Sequence, residues 1–157
     1  PGHGAEDLGL SVQWGAGNLG NFGCNYQGRG EWYSATNAND DIQEYLGDGW
    51  RLPTKEEFEE LWKCRTSELS VDIGDVCNGR MFKGKNGKYI WLAYAGAKDF
   101  GSWSRYYSYN TKGFYLTSSK NSDGNYLMMV ISSDNDELEV QPANYDGYSI
   151  RPVAVNE

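Results

Sequence analysis

The chain has 157 residues, enough for one domain with a real core and too few for two comfortable ones. Its formal charge of −8 argues against nucleic-acid and anionic-membrane partners, both of which demand a Lys/Arg surface. Hydrophobic residues reach only 39% while aromatics reach 15%, and 20 glycines punctuate the chain, a mixture that suits a loop-rich β domain with aromatic surface.

Residues 1–4 read as a tag remnant or the end of a linker, leaving 5–157 as a single domain. Leu8-Gly9-Leu10-Ser11-Val12-Gln13-Trp14 alternates apolar with small or polar residues and predicts a half-buried strand. Residues 15–30 carry six glycines with Phe22 and Tyr26, an irregular but anchored loop. Residues 34–41 offer several helix caps, and Ile42, Tyr45 and Leu46 follow at helical spacing before Gly47, predicting a short first helix.

Gly49-Trp50-Arg51-Leu52-Pro53-Thr54-Lys55-Glu56-Glu57-Phe58 carries the sharpest local signal. Thr54 is a good N-cap, and Glu57 stands where it completes a capping box. Pro53 and Phe58 occupy the positions of a hydrophobic staple. Phe58, Leu61 and Trp62 form the apolar stripe of a second helix ending near Cys64, with Glu56, Glu57, Glu59, Glu60 and Lys63 expected on a solvated face.

Beyond it the chain turns β-rich. Residues 80–83 and 89–94 flank Asn86-Gly87, which predicts a hairpin with a type I′ turn. Residues 101–113 read as a loop that holds Trp103, Tyr106, Tyr107 and Tyr109, too aromatic for a mere spacer. Strands follow at 114–118, 126–132, 137–141 and 148–155. Leu127-Met128-Met129-Val130-Ile131 is apolar on both faces and belongs at the centre of a sheet. No apolar run nears the roughly 18 residues of a membrane span, so this domain is not expected to insert in a bilayer. No signal peptide is present in the residues given.

The order of these elements, a strand, two short helices and then hairpin strands with long loops, resembles the C-type lectin-like fold. Within it, residues 7–14, the Gly49-Trp50-Arg51-Leu52-Pro53-Thr54 segment through Leu61, and Tyr148-Ser149-Ile150-Arg151-Pro152-Val153 are similar to the Fibrobacter succinogenes major paralogous domain family. The likeness spans nearly the whole chain. Ile90-Trp91-Leu92-Ala93-Tyr94-Ala95-Gly96 and Gly113-Phe114-Tyr115-Leu116-Thr117-Ser118-Ser119 also fit that pattern. Leu116 stands where a Trp is usual, and the loop around Cys24 lacks the family's Trp-Gly-Glu. The resemblance implies an α+β, C-type lectin-like fold: a mostly antiparallel twisted sheet, N- and C-terminal strands adjacent, two short flanking helices and long loops. It also implies a secreted or cell-surface bacterial protein of the Bacteroidetes type, in a fold shared with lectins, phage receptor-binding proteins and formylglycine-generating enzymes.

The chemistry is sparse. The sole histidine, His3, lies in the set-aside segment, which removes support for His-based catalysis or a His-containing metal site. A formylglycine-generating oxidase would, by the resemblance, need a reactive cysteine pair late in the domain, and no cysteine follows Cys77. Cys24, Cys64 and Cys77 cannot all pair within one chain, and buried free thiols are favoured over a Cys64–Cys77 bridge. Gln141-Pro142-Ala143-Asn144 only echoes the calcium motif of sugar-binding lectins, and Asp134-Asn135-Asp136-Glu137 reads as a turn. No catalytic residue, metal or cofactor is therefore assigned.

What remains is an aromatic, amide-rich surface. Trp103, Tyr106, Tyr107, Tyr109 and Asn110, with Asn125, Asn144, Tyr145 and Asp146 from late loops, are the candidate ligand-binding residues. The expectation is a non-catalytic, exported binding or adhesion module for a glycan or a protein. The alternative is a structural domain packed against neighbouring domains of a larger surface protein or pilus-like assembly. An enzyme of the formylglycine-generating type is a distant third.

Overall fold

The structure, a computed structural model, describes residues 5–15, 37–72, 78–99, 105–108, 111–143 and 147–155. Its elements run β1 (Ala5–Glu6), β2 (Val12–Gly15), α1 (Ala38–Leu46), β3 (Trp50–Arg51), α2 (Lys55–Trp62), β4 (Val71–Asp72), β5 (Asn78–Lys83) and β6 (Tyr89–Ala93). Then come β7 (Ala97–Asp99), β8 (Arg105–Tyr107), β9 (Lys112–Lys120), β10 (Tyr126–Ser132), β11 (Glu139–Pro142) and β12 (Val153–Val155). The described residues form an α+β fold of antiparallel sheets in the orders β1-β2-β12-β3, β11-β10-β9, β4-β5-β6 and β7-β8.

Strand β10 is the middle of its sheet, as its unbroken apolar run predicts, because both of its faces are covered. Tyr115, Met129 and Ile131 join one core with Trp14, Phe58, Leu61, Trp62, Phe82 and Leu92. Phe114, Leu116, Met128 and Val130 join the other, with Ile42, Trp50, Leu52, Tyr148 and Ile150. Successive residues of β9 and β10 thus feed opposite cores, and neither strand can afford a polar face.

Strand β2 and the last described strand, β12, are neighbours, with β1 outside β2: Trp14 pairs with Val153, and Val12 with Val155, antiparallel. Arg151 fastens this junction from inside. Buried, it donates from Nη1 to the Gly15 carbonyl at 3.1 Å and from Nη2 to the Trp91 carbonyl at 2.8 Å, so three distant segments share one guanidinium. Desolvation lowers its pKa to about 10.

The predicted cap of α2 is realised in full. Thr54 Oγ1 accepts the Glu57 N–H at 3.1 Å, and Glu57 Oε1 accepts the Thr54 N–H at 2.9 Å. Phe58, Leu61 and Trp62 are buried, as are Pro53 and Leu52 ahead of the cap. The acidic face is not simply solvated, however. Glu57 also holds Arg51, and Glu60 Oε1 accepts both the N–H (3.1 Å) and the hydroxyl (2.7 Å) of Ser11, tying α2 to the first strand segment.

Other expectations are corrected by packing. Residues 8–14 keep the predicted alternation of burial, but the ladder begins only at Val12. Gly9 turns the chain at φ +75°, and the Leu8 carbonyl accepts the Lys85 N–H at 2.9 Å instead of joining a sheet. Helix α1 buries Ala38 and Ile42 but leaves Tyr45 54% exposed. Gln43 donates from its side chain to the Trp50 carbonyl at 2.9 Å and so ties α1 to β3.

The β5–β6 hairpin forms where predicted, with a different turn. Lys83 pairs with Tyr89, Gly87 N–H returns to the Gly84 carbonyl at 3.0 Å, and only Gly87 takes a positive φ, of +87°. That is a type I turn followed by a bulge at glycine rather than type I′, which would need Asn86 left-handed as well. Within the segment read as a loop, β8 pairs with β7, Tyr106 opposite Lys98 and Tyr107 opposite Ala97.

Candidate functional site

Of the nine candidate binding residues, Trp103, Tyr109, Asn110, Asn144, Tyr145 and Asp146 lie outside the described residues. Tyr106 and Tyr107 are placed on β8 by their backbone pairing. Asn125 is exposed at the β9–β10 turn, where its carbonyl accepts the Asn121 N–H at 2.9 Å and its own N–H donates to Asn121 Oδ1 at 3.0 Å. Its backbone is spent on closing the hairpin.

Immediately after β8, Ser108 stands at φ +55°, the one non-glycine with positive φ among the described residues. Its carbonyl collects three donors: the Thr111 N–H at 3.1 Å, the Lys112 N–H at 2.9 Å and the Thr111 hydroxyl at 3.0 Å. A side chain in the left-handed region costs roughly 1–2 kcal/mol, so these bonds hold a strained corner inside the aromatic segment.

A second feature surrounds Trp62, the last residue of α2. The guanidinium carbons of Arg65 and Arg80 lie 4.7 Å and 5.3 Å from its ring centre, and Phe82 packs against it at 6.1 Å. Asp136 binds both cations: Arg65 Nε donates at 2.6 Å, Arg65 Nη2 at 3.2 Å and Arg80 Nη2 at 2.9 Å. The Arg65 hydrogen bond, reinforced by Arg80, holds the Asp136 carboxyl below the ordinary carboxylate range. Arg80 is buried, and its Nη2 also donates to the Thr66 carbonyl at 2.6 Å, whereas its Nε and Nη1 find no hydrogen-bond partner among the described residues.

This cluster explains the acidic turn at 134–137. Asp136 neutralises arginines, and Asn135 Oδ1 accepts the Glu137 N–H at 3.1 Å as a turn former does. Nearby, burial pushes the Tyr94 phenol up to about 12; its hydroxyl donates to the Leu69 carbonyl and lies 3.3 Å from the Ser132 carbonyl. Cys64 is a half-buried free thiol whose pKa burial raises, which leaves it a poor nucleophile.

Next to the cluster, between the end of α2 and strand β11, lies a cleft of about 480 Å³. Glu59, Trp62 and Lys63 line it from the helix, and residues 137–140 from the strand side. Its lining combines apolar side chains, Trp62, Leu138 and Val140, with acidic residues and one lysine. Sequence reading passed over both the arginine pair and the cleft. The available signal was Leu138-Glu139-Val140-Gln141-Pro142, an alternating strand closed by a proline, the mark of a sheet edge.

No family model, no curated protein and no solved structure matches this chain.

Proposed function

We propose that this chain is a non-catalytic, exported binding or adhesion module of C-type lectin-like fold, recognising a glycan or a protein through the aromatic segment 103–110 and the late loops. The lectin-like reading, and with it the likeness to the Fibrobacter succinogenes major paralogous domain family, is supported by the pairing of β2 with β12 and by two short helices that precede the hairpin strands. The function rests chiefly on Ser108. Strained backbone persists where surrounding structure over-determines it, commonly at ligand sites, and here it sits between Tyr107 and Tyr109. Strand β8 is held by its pairing with β7, and the Ser108 carbonyl by three donors; aromatic rings on a backbone fixed in this way lose little entropy on stacking against a sugar ring or a partner's apolar side chain.

Glycan-array screening of the intact chain, repeated with Trp103→Ala and Tyr107→Ala, tests the reading. Loss of binding with an unchanged melting temperature is the expected result. Unfolding of both variants would show that the rings serve only the core and would overturn it.

A further inference from the structure

Strand β11 has an outer edge whose backbone groups are set by its ladder with β10. The Ala143 N–H donates to the Tyr126 carbonyl at 2.8 Å, which sets the phase of the β10–β11 ladder. Bonds in an antiparallel pair are exchanged by every second residue. With Met128 opposite Gln141 and Val130 opposite Glu139, the backbone groups of Gln141 and Glu139 face β10, and those of Val140 face outward. Pro142 adds an outward carbonyl and has no N–H. Among the described residues β11 pairs with β10 alone.

The side chains suit the same role. Val140 sits opposite Met129, hence on the α2 side of the sheet, and is 37% exposed. Leu138 packs on the core that contains Met129 and Trp62, so Trp62, Leu138 and Val140 floor the cleft between helix and edge strand. A groove with a free strand edge on one wall and a helix on the other accepts an extended segment as an added strand. Main-chain bonds supply affinity, and alternate side chains enter the groove. Three of the residues that line this cleft are acidic, Glu59, Glu137 and Glu139, against the basic Lys63; Glu139 turns its carboxylate to Gln141 Nε2 at 2.6 Å, which leaves Glu59 and Glu137 as the acidic rim.

The geometry points to β11 as the docking strand for an extended segment of a partner protein, in which an aliphatic side chain enters over Trp62 and Val140 between flanking lysines or arginines. A second copy of this chain is disfavoured as the occupant, because edge-to-edge pairing would bring the two acidic rims together on chains of −8 each.

The probe is a fluorescein-labelled heptapeptide with alternating valines and two lysines at each end, followed by anisotropy. Its controls carry glutamates in place of the lysines, or an N-methylated central valine. Val140→Pro removes the outward N–H without touching the bonds to β10, so it keeps the fold while closing the edge. Binding of the lysine peptide, loss of at least about tenfold with the N-methyl peptide or with Val140→Pro, and no binding of the glutamate peptide are expected. Should Val140→Pro unfold, Glu59→Lys with Glu137→Lys replaces it, and the preference between the two charged peptides should then invert. Equal binding of all three peptides, no binding of the lysine peptide, or a dimer in sedimentation that Val140→Pro abolishes would each overturn the proposal, the last in favour of a second copy.

Discussion

Arg51 grips Glu57 through two parallel hydrogen bonds of 2.7 Å each, while the same carboxylate closes the helix cap by accepting the Thr54 N–H. One side chain thus joins β3, which pairs with the last strand, to the start of α2. Glu57→Gln keeps the cap and loses the fork, and is expected to cost about 1 kcal/mol; Glu57→Ala loses the fork and the return bond to the Thr54 N–H but keeps the backbone bond to Thr54 Oγ1, at roughly 2 kcal/mol. Urea unfolding of the two variants measures the difference.

The same pair gives an acid limb. Burial pushes the Glu57 carboxyl up, but the bonds from Arg51 and Thr54 outweigh it, and the net pKa is lowered from its ordinary 4.5. A carboxyl depressed by folding binds its proton more readily in the unfolded chain, so its contribution is full above pH 4.5 and fades as pH falls through the folded value. Melting temperature between pH 6 and pH 3 should fall less steeply for Glu57→Gln than for the parent.

Tyr94 gives the alkaline counterpart. Its phenol, raised from 10 to about 12, ionises first in the unfolded chain, so stability is complete below pH 10 and is lost as pH rises towards 12. Tyr94→Phe should remove a step near pH 12 from an ultraviolet titration of the folded protein and flatten that limb of the stability profile. At neutral pH it should cost about 1 kcal/mol, for the hydroxyl bond to the Leu69 carbonyl.

Around Trp62 the expected effects are asymmetric. Asp136 is half exposed and can be hydrated if Arg80 is removed, whereas Arg80 is buried and cannot be if Asp136 is removed. Arg80→Met, which refills the space over Trp62, should stay within about 1.5 kcal/mol of the parent. Asp136→Ala should shift the urea midpoint further, and Arg65→Ala less than Asp136→Ala, since Arg65 remains partly solvated. Equal shifts for all three would mean that Arg80 is not the charge that needs compensating.

Three backbone positions separate space from strain. A Cβ on Gly84 would sit 2.5 Å from the Leu8 carbonyl oxygen and 2.6 Å from Leu8 Cβ, and Gly87→Ala meets nothing but a positive φ. Gly87→Ala should cost about 1 kcal/mol and Gly84→Ala clearly more, because the Leu8 backbone it strikes is itself bonded to the hairpin. Ser108→Gly should instead stabilise by about 1 kcal/mol while weakening ligand binding, if the strained corner pre-organises the aromatic segment. Thermal melts read all three.

What the sequence determined by itself was local. The capping box at Thr54 and Glu57, the burial alternation of residues 8–14, the existence of the 80–94 hairpin and the central place of Leu127–Ile131 all follow from contacts within a few residues or from covered faces written as apolar runs. Tertiary structure decided what those local signals left open. The turn at Asn86 took the bulged form, Tyr45 was left outside the core, and Gln43 met the Trp50 carbonyl. Asp136 met Arg65 and Arg80 across 71 and 56 residues of chain, and no spacing rule encodes such a meeting. The two proposed binding surfaces divide in the same way: the aromatic segment is marked by composition, whereas the cleft beside β11 exists only because folding set a helix end and a strand edge side by side. Residue type fixes short-range geometry, but which charges, edges and grooves face one another depends on how distant segments pack.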